Sequence, residues 1–146
     1  MSILKIKKVR DSARIPFRAT DGSAGMDLYA CIDEAVTIKP HEIRLIPTGI
    51  AIAPESPDFV AYLYARSGLA IKHGIAPANC VGVVDSDYRG EVCVGLVNQT
   101  EEAFTIEPDE RIAQMVIAPV ILPEIQVVDE LDDTERGAGG FGSTGK

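Results

Sequence analysis

The chain has no apolar run near the ~20 residues that a membrane-spanning helix needs, and so does not read as a membrane protein. Its N-terminus, Met1-Ser-Ile-Leu-Lys-Ile-Lys-Lys8, breaks its apolar residues with lysines and lacks the continuous apolar core of a signal peptide. Both absences point to the cytoplasm. Cysteine is scarce. Cys31, Cys80 and Cys93 are odd in number, widely spaced and without a Cys-x-x-Cys pair, and their apolar neighbours suggest buried, reduced thiols. Without a secretory route, Asn98-Gln99-Thr100 carries no meaning as a glycosylation site. Positive charge is short as well: 14 lysines and arginines face 22 acidic residues, for a net charge of -8. No dense basic cluster exists beyond the N-terminal lysines, which excludes an ordinary nucleic-acid binder. The same field opposes a polyphosphate at long range, so such a ligand needs local arginines and a metal ion to hold it. Histidine is limited to His41 and His73, leaving few candidates for a Ser-His-Asp triad. His73, beside Lys72, reads as a structural hydrogen bonder. A zinc nucleobase deaminase is excluded because no His-x-Glu is partnered by Cys-x-x-Cys.

What is present is an ordinary globular composition, 46% hydrophobic and 25% charged over 146 residues, consistent with one domain. Short apolar or alternating runs separated by turn residues predict an all-β sandwich or barrel. The expected strands are Ile3–Val9, Asp27–Cys31, Val36–Ile38, Ile43–Ala53, Phe59–Ala65, Val81–Val84, Val92–Val97, Phe104–Ile106, Ile112–Val120 and Ile125–Val128. A single short helical turn fits Gly68–His73; no long amphipathic helix and no internal repeat is visible. The β domain is therefore assigned to residues 1–128. Residues 129–146 form an acidic and then glycine-rich arm, which cannot bury enough apolar surface to order itself. That arm still holds Arg136, Phe141, Ser143 and Thr144, richer chemistry than a spacer requires.

Two motifs fail on inspection. Gly137-Ala-Gly139-Gly-Phe-Gly142 matches a dinucleotide-binding fingerprint, but with Lys146 the last residue there is no room for the helix that must receive a pyrophosphate. Asp85-Ser-Asp87-Tyr-Arg89-Gly90 begins like a calcium loop, then places Arg89 at a ligand position and Leu96 where the closing glutamate belongs.

Five other segments hold: Ala24-Gly-Met-Asp-Leu-Tyr29, Arg66-Ser-Gly-Leu-Ala70, Gly82-Val-Val-Asp-Ser-Asp-Tyr-Arg-Gly90, Arg111-Ile-Ala-Gln-Met115 and Arg136-Gly-Ala-Gly-Gly-Phe-Gly-Ser-Thr-Gly145. In this order and spacing, from residue 24 to 145, they resemble the five motifs of the trimeric dUTPases. The resemblance implies a jelly-roll-type β-sandwich or distorted barrel with a flexible glycine-rich C-terminal arm, and a homotrimer with shared active sites. It also implies magnesium-dependent hydrolysis of dUTP to dUMP and pyrophosphate, with water attacking the α-phosphorus. Nothing in composition or spacing reveals the trimer.

Read as chemistry, each segment keeps a plain alternative. Splitting a phosphoanhydride needs an activated water, charge neutralisation and firm positioning. Asp85, at a strand end before a tight turn, is either a turn cap or a rigidly held base. The resemblance makes it the base, in contact with the 3'-hydroxyl as well. Tyr88 is either half-buried packing or, as in the family, a platform under the deoxyribose that rejects a 2'-hydroxyl. Asn79 carries donor and acceptors that match the edge of uracil; the family's base-reading hairpin maps onto Asn79, Val83, Val84 and Cys93, the last through its backbone. Arg66, Ser67 and Gly68 offer a guanidinium, a hydroxyl and a closely approaching backbone. The alternative for Arg66 is a structural salt bridge, and the resemblance assigns the trio to the phosphates. Gln114 is either solvent-facing polarity or a contact to the α-phosphate or the catalytic water. Asp27 matches the carboxylate that holds magnesium-bound waters, since magnesium keeps several waters and needs no protein cage. In the arm, Phe141 would stack on uracil and Arg136 would clamp the γ-phosphate. Gly142, Ser143 and Thr144 would wrap the triphosphate as a lid. The competing readings are a dCTP deaminase of the same fold, alone or bifunctional, and a non-catalytic dUTP-binding regulator. Gly68, Asp85 and the Phe141 arm favour the diphosphatase.

Overall fold

The computed structural model describes residues 3–140 and is built almost wholly from antiparallel strands. In chain order these are β1 (Leu4–Lys8), β2 (Met26–Tyr29), β3 (Val36–Ile38), β4 (Ile43–Pro47), β5 (Ile50–Pro54) and β6 (Phe59–Tyr64), then the one helix, α1 (Ser67–His73). After it come β7 (Ile75–Pro77), β8 (Gly82–Val84), β9 (Cys93–Asn98), β10 (Phe104–Ile106) and β11 (Arg111–Pro119). The largest sheet has the order β2-β11-β6-β8, a second has β4-β9-β7, and the pairs β1-β5 and β10-β3 complete the layers. This is the all-β, jelly-roll-type sandwich expected from the sequence. No helix among the described residues is long and apolar enough to cross a membrane.

Period-two patterning drives these assignments. In β9, Cys93–Asn98, half-buried and fully buried residues alternate without exception, as a strand with one face on the core must. Leu28, Ile38, Ile46, Ile50, Leu96, Ile106, Ile112 and Met115 close the core between the sheets. Asn98 is also fully buried. Its amide donates to the Ile38 and Glu102 carbonyls, and its oxygen accepts from the Thr100 amide and hydroxyl. Every polar atom of that side chain is satisfied inside the protein, which leaves none for a glycan.

Four expectations need correction. The apolar run Ile43–Ala53 is two strands in different sheets, divided at Gly49 (φ 71°). A side chain there would stand 2.6 Å from Ala13 Cβ and 2.7 Å from Cys31 Sγ, so Pro47-Thr48-Gly49 is a turn that only glycine can close. Ile75–Pro77, absent from the expected strands, forms an edge strand on β9, where a proline at the strand end costs no ladder bond. Ile125–Val128 forms no strand: after Pro119 the described chain has no regular secondary structure, and Ile121, Ile125, Val127 and Leu131 are exposed. A strand needs an edge to pair with, and this stretch pairs with none in its own chain. Of the cysteines only Cys31 is buried; Cys80 is exposed and Cys93 half-buried.

Candidate active site

The sheet order brings the first, second and fourth conserved-looking segments together. Gln114 in β11 lies directly opposite Asp27 in β2 on one side and Tyr64 in β6 on the other, so all three occupy one row across the sheet. A register shift between Arg111 and Ala113 bends β11 and turns Arg111 toward the same place. Arg66, in extended conformation, leads from β6 into α1. Its Nε donates to Asp27 Oδ1 at 2.9 Å, and Arg111 Nη1 donates to Asp27 Oδ2 at 3.2 Å. The Asp27 side chain is 15% exposed; both bonds are charge-assisted, the one to Arg66 partly sheltered and the one to Arg111 open to solvent. Gln114 Nε2 is anchored on the Ala65 carbonyl at 2.9 Å. A side chain at Gly25 would overlap Gln114 Oε1, which is why glycine stands there.

These groups line a cleft of about 380 Å³ with Phe17, Ser23, Ser67 and Gly68. Arg18 shapes its rim by donating to the Ser23 and Ala24 carbonyls at 2.6 and 2.9 Å. Two arginines against one aspartate give the cleft a positive balance in an acidic protein. The first turn of α1 leaves the Ser67 and Gly68 amides without intrahelical acceptors. A Cβ at Gly68 would meet nothing within 4 Å, so the chain's own packing does not demand glycine at that position.

A second cleft, also about 380 Å³, opens between β8 and β9, which lie in different sheets, at the segment likened above to the family's base-reading hairpin; it is lined by Leu45, Asn79, Val83, Val84, Asp85, Tyr88, Glu91 and Cys93 among others. A turn closed by the Cys80 amide on the Pro77 carbonyl at 3.1 Å, with Cys80 itself at positive φ (62°), leads towards β8, and Val84 pairs with Ala61 of β6. Asp85 follows β8 directly and is exposed at the mouth of the cleft. The turn beyond it is closed by the Tyr88 amide on the Asp85 carbonyl at 3.2 Å and by Arg89 Nη1 on the Ser86 and Tyr88 carbonyls. The Tyr88 ring folds back over Gly90, where any Cβ would overlap its hydroxyl. Burial, with the Glu91 carboxylate second, raises the Cys93 thiol above its ordinary range, so it stays protonated and unreactive.

Sequence reasoning thus identified two groups of residues, and the fold collects each group but keeps them apart. No residue lines both clefts. From the pairing of Val84 with Ala61, Asp85 falls level with Val60, whereas Gln114 is level with Tyr64. At about 3.3 Å per residue, Asp85 lies roughly 13 Å along the strand from Gln114 and roughly 20 Å from Arg66. Arg136 reaches neither cleft of its own chain; it is bonded to Gly139 within a local turn. Phe141, Gly142, Ser143 and Thr144 lie outside the described residues. The histidines stay apart from both clefts, His41 bonded to Glu101 at 2.9 Å and His73 packed on Phe104 with ring centroids 5.0 Å apart. Arg111, Glu91 and Leu45 were missed. Arg111 opens the quoted fourth segment, but only the bulge in β11 makes it a partner of Asp27; Leu45 was covered only by the expected strand Ile43–Ala53.

The chain is similar to known proteins over nearly its whole length. The family model described as dUTPase matches residues 11–145. The deoxyuridine 5'-triphosphate nucleotidohydrolase of Hahella chejuensis is 55% identical over 139 residues, covering 95% of this chain and 91% of the relative. That of Paraburkholderia xenovorans is 50% identical over 143 residues, covering 98% and 97%. Among solved structures, a mutant dUTPase of Staphylococcus bacteriophage 80alpha with dUpNHpp superposes with a TM-score of 0.89 at 28% identity, covering 99% of both chains. A mutant dUTPase of phage phi11 of S. aureus, whose structure details the coordination of a structural Mg(II) ion, shares the fold with a TM-score of 0.80 at 23% identity, covering 90% of this chain and 99% of that one.

Proposed function

This chain belongs to the dUTPase family, and from that premise we infer how it works: it is a dUTP diphosphatase, hydrolysing dUTP to dUMP and pyrophosphate. The observation that carries the mechanism is the separation of the two clefts. In the reading we propose, the hairpin cleft takes the nucleoside. Asn79 and the main chain around Val83, Val84 and Cys93 read the uracil edge, and Tyr88 lies under the deoxyribose. Asp85 at the mouth accepts a proton from water as its oxygen attacks the α-phosphorus; the bond from that phosphorus to the bridging oxygen breaks and pyrophosphate leaves. Arg66, Arg111, Ser67 and Gly68 hold the phosphates in the positive cleft, with Gln114 on the α-phosphate or the attacking water.

A base must come within about 3 Å of the water it activates, and one chain holds Asp85 much farther than that from Gln114. The complete site is therefore built by apposing the hairpin cleft of one copy with the arginine cleft of another. The family resemblance supplies the number, a homotrimer with three shared sites. The glycine-rich arm, with Arg136, Phe141, Gly142, Ser143 and Thr144, closes over the bound triphosphate from a further copy. The exposed apolar stretch after Pro119 supports the same reading, because among the described residues Ile121, Ile125, Val127 and Leu131 are left uncovered.

Magnesium fits the donors present. Among the described residues no three His, Cys, Asp or Glu side chains form a metal cage, and Asp27 is the one carboxylate lining the phosphate-side cleft. Both its oxygens accept an arginine N–H, which leaves lone pairs for metal-bound water but no open seat for a bare ion. That suits an ion carried mainly by phosphate oxygens and water. Bound magnesium would neutralise phosphate charge, and Asp27 would hold its waters. Three cysteines without a disulfide fit action in the cytoplasm.

The deaminase and binding-only readings are not favoured. Pyrophosphate release from dUTP, dCTP, dTTP and UTP, each with magnesium and with a chelator, tests the assignment. Fast release is expected from dUTP alone and only with magnesium. Ammonia from dCTP, or tight dUTP binding without turnover, would overturn it.

A further inference from the structure

We propose that Glu91 is a positioning residue for sugar selection: clamped by Arg10 and the Gly49 amide, it stiffens the turn that carries Tyr88 and so sets the discrimination between 2'-deoxy and 2'-hydroxy nucleotides. The proposal rests on the reading of Tyr88 as the deoxyribose platform. A steric wall rejects a ligand only as strongly as it resists being pushed aside. The stiffness of the Tyr88 turn is therefore part of specificity.

The turn has few anchors. Arg89 bonds the Ser86 and Tyr88 carbonyls, the Tyr88 amide bonds Asp85, and the Tyr88 hydroxyl donates to the Glu91 carbonyl at 3.1 Å. All of these stay within residues 85–91. Among the described residues, the hydrogen bonds that tie residues 86–91 to another part of the chain all come from the Glu91 carboxylate. Arg10 Nε donates to its Oε1 at 2.7 Å and Arg10 Nη2 to its Oε2 at 3.0 Å, while the Gly49 amide donates to Oε1 at 2.8 Å. The Glu91 side chain is 22% exposed, which lets a bidentate pair persist where a fully exposed one would be screened. Gly49 is itself fixed, its carbonyl accepting from the Val9 and Arg10 amides. The next residue, Val92, is held by the Thr48 hydroxyl and amide and by the Ile50 carbonyl. Two stretches distant in sequence, at Arg10 and at Gly49, thus converge on the residue whose carbonyl receives the tyrosine hydroxyl. Glu91 also lines the nucleoside cleft, so a loose clamp is felt directly where the sugar sits.

The test compares kcat/KM for dUTP and UTP in the wild type, Glu91→Ala, Glu91→Gln, Arg10→Ala and Arg10→Lys, with thermal unfolding of each. Glu91→Ala and Arg10→Ala should lower the dUTP-over-UTP preference about 10-fold, through a higher KM for dUTP and faster UTP hydrolysis. Arg10→Lys keeps the charge without the two-pronged geometry and should fall between wild type and Arg10→Ala. Glu91→Gln keeps the shape and tests the clamp if the alanine variant does not fold; its preference should drop about 3-fold. A lowered melting temperature with the preference intact in Glu91→Gln and Arg10→Ala would reduce the clamp to a structural brace and overturn the proposal. A wild type that hydrolyses UTP as readily as dUTP would instead remove the Tyr88 platform itself, and the proposal with it.

Discussion

Asp85 and Glu91 stand six residues apart, line the same cleft and do opposite work. Asp85 is exposed at the mouth, where a carboxylate can take a proton from water and return it. On the proposed mechanism Asp85→Asn keeps the shape but removes the base, so dUTP should still bind while turnover falls about 100-fold or more; calorimetric binding beside pyrophosphate release separates the two effects. Near-normal turnover would move the base elsewhere. Glu91 is held by the Arg10 guanidinium and then the Gly49 amide, which keep its carboxyl below the usual glutamate range despite partial burial. A lowered folded value means that its stabilising contribution is complete above the unfolded value of about 4.3 and fades as pH falls through the folded one. The stability advantage of wild type over Glu91→Gln should therefore be flat near neutrality and shrink in acid, as urea unfolding from pH 7 down to pH 3 would reveal. An advantage constant over that range would mean the charge contributes nothing.

Among the elements, those whose pattern is local were readable from the sequence. β3, β6, β9 and β10 announce themselves by alternation or by turn residues at both ends, and the short helix by its confinement between Arg66 and Gly74. The long run Ile43–Ala53 was not readable in this way, because both halves are apolar and only a Thr-Gly pair interrupts them. What decides the break is the space left by Ala13 and Cys31, which come from distant parts of the chain. Gly49→Ala should thus destabilise the fold by at least about 1–3 kcal/mol, from positive-φ strain and overpacking, measurable as a shifted urea midpoint with unchanged slope. Stability equal to wild type would mean that β4 and β5 can be joined by another turn. Arg111 was hidden for a similar reason: its ion pair with Asp27 depends on a bulge that no local pattern marks. Apart from residues such as Arg111, Glu91 and Leu45, the polar members of the two clefts were legible in the motifs; their separation was not, because the pairing of β6 with β8 and β11 creates it.

At the scale of the molecule, that separation makes a strong prediction. On the proposed mechanism, a chain carrying Asp85→Asn would lack the base, and one carrying Arg66→Ala would lack a phosphate-binding guanidinium and leave Asp27 with one partner fewer. Each alone should be nearly inactive. Co-expressed, they should recover about a quarter of wild-type activity, since random apposition pairs an intact hairpin cleft with an intact arginine cleft in one site of four. No recovery from a mixture shown to co-assemble would place the whole reaction within one chain.

The stretch after Pro119 has a consequence for the life of the protein before it acts. Ile121, Ile125, Val127 and Leu131 are each 87% exposed or more, on backbone without regular structure. An extended, apolar segment of this kind is what chaperones grip and proteases cut most readily. In the proposed assembly, a newly made copy that fails to find its partners would keep this mark for removal on display, and a neighbouring copy packed on the stretch would hide it.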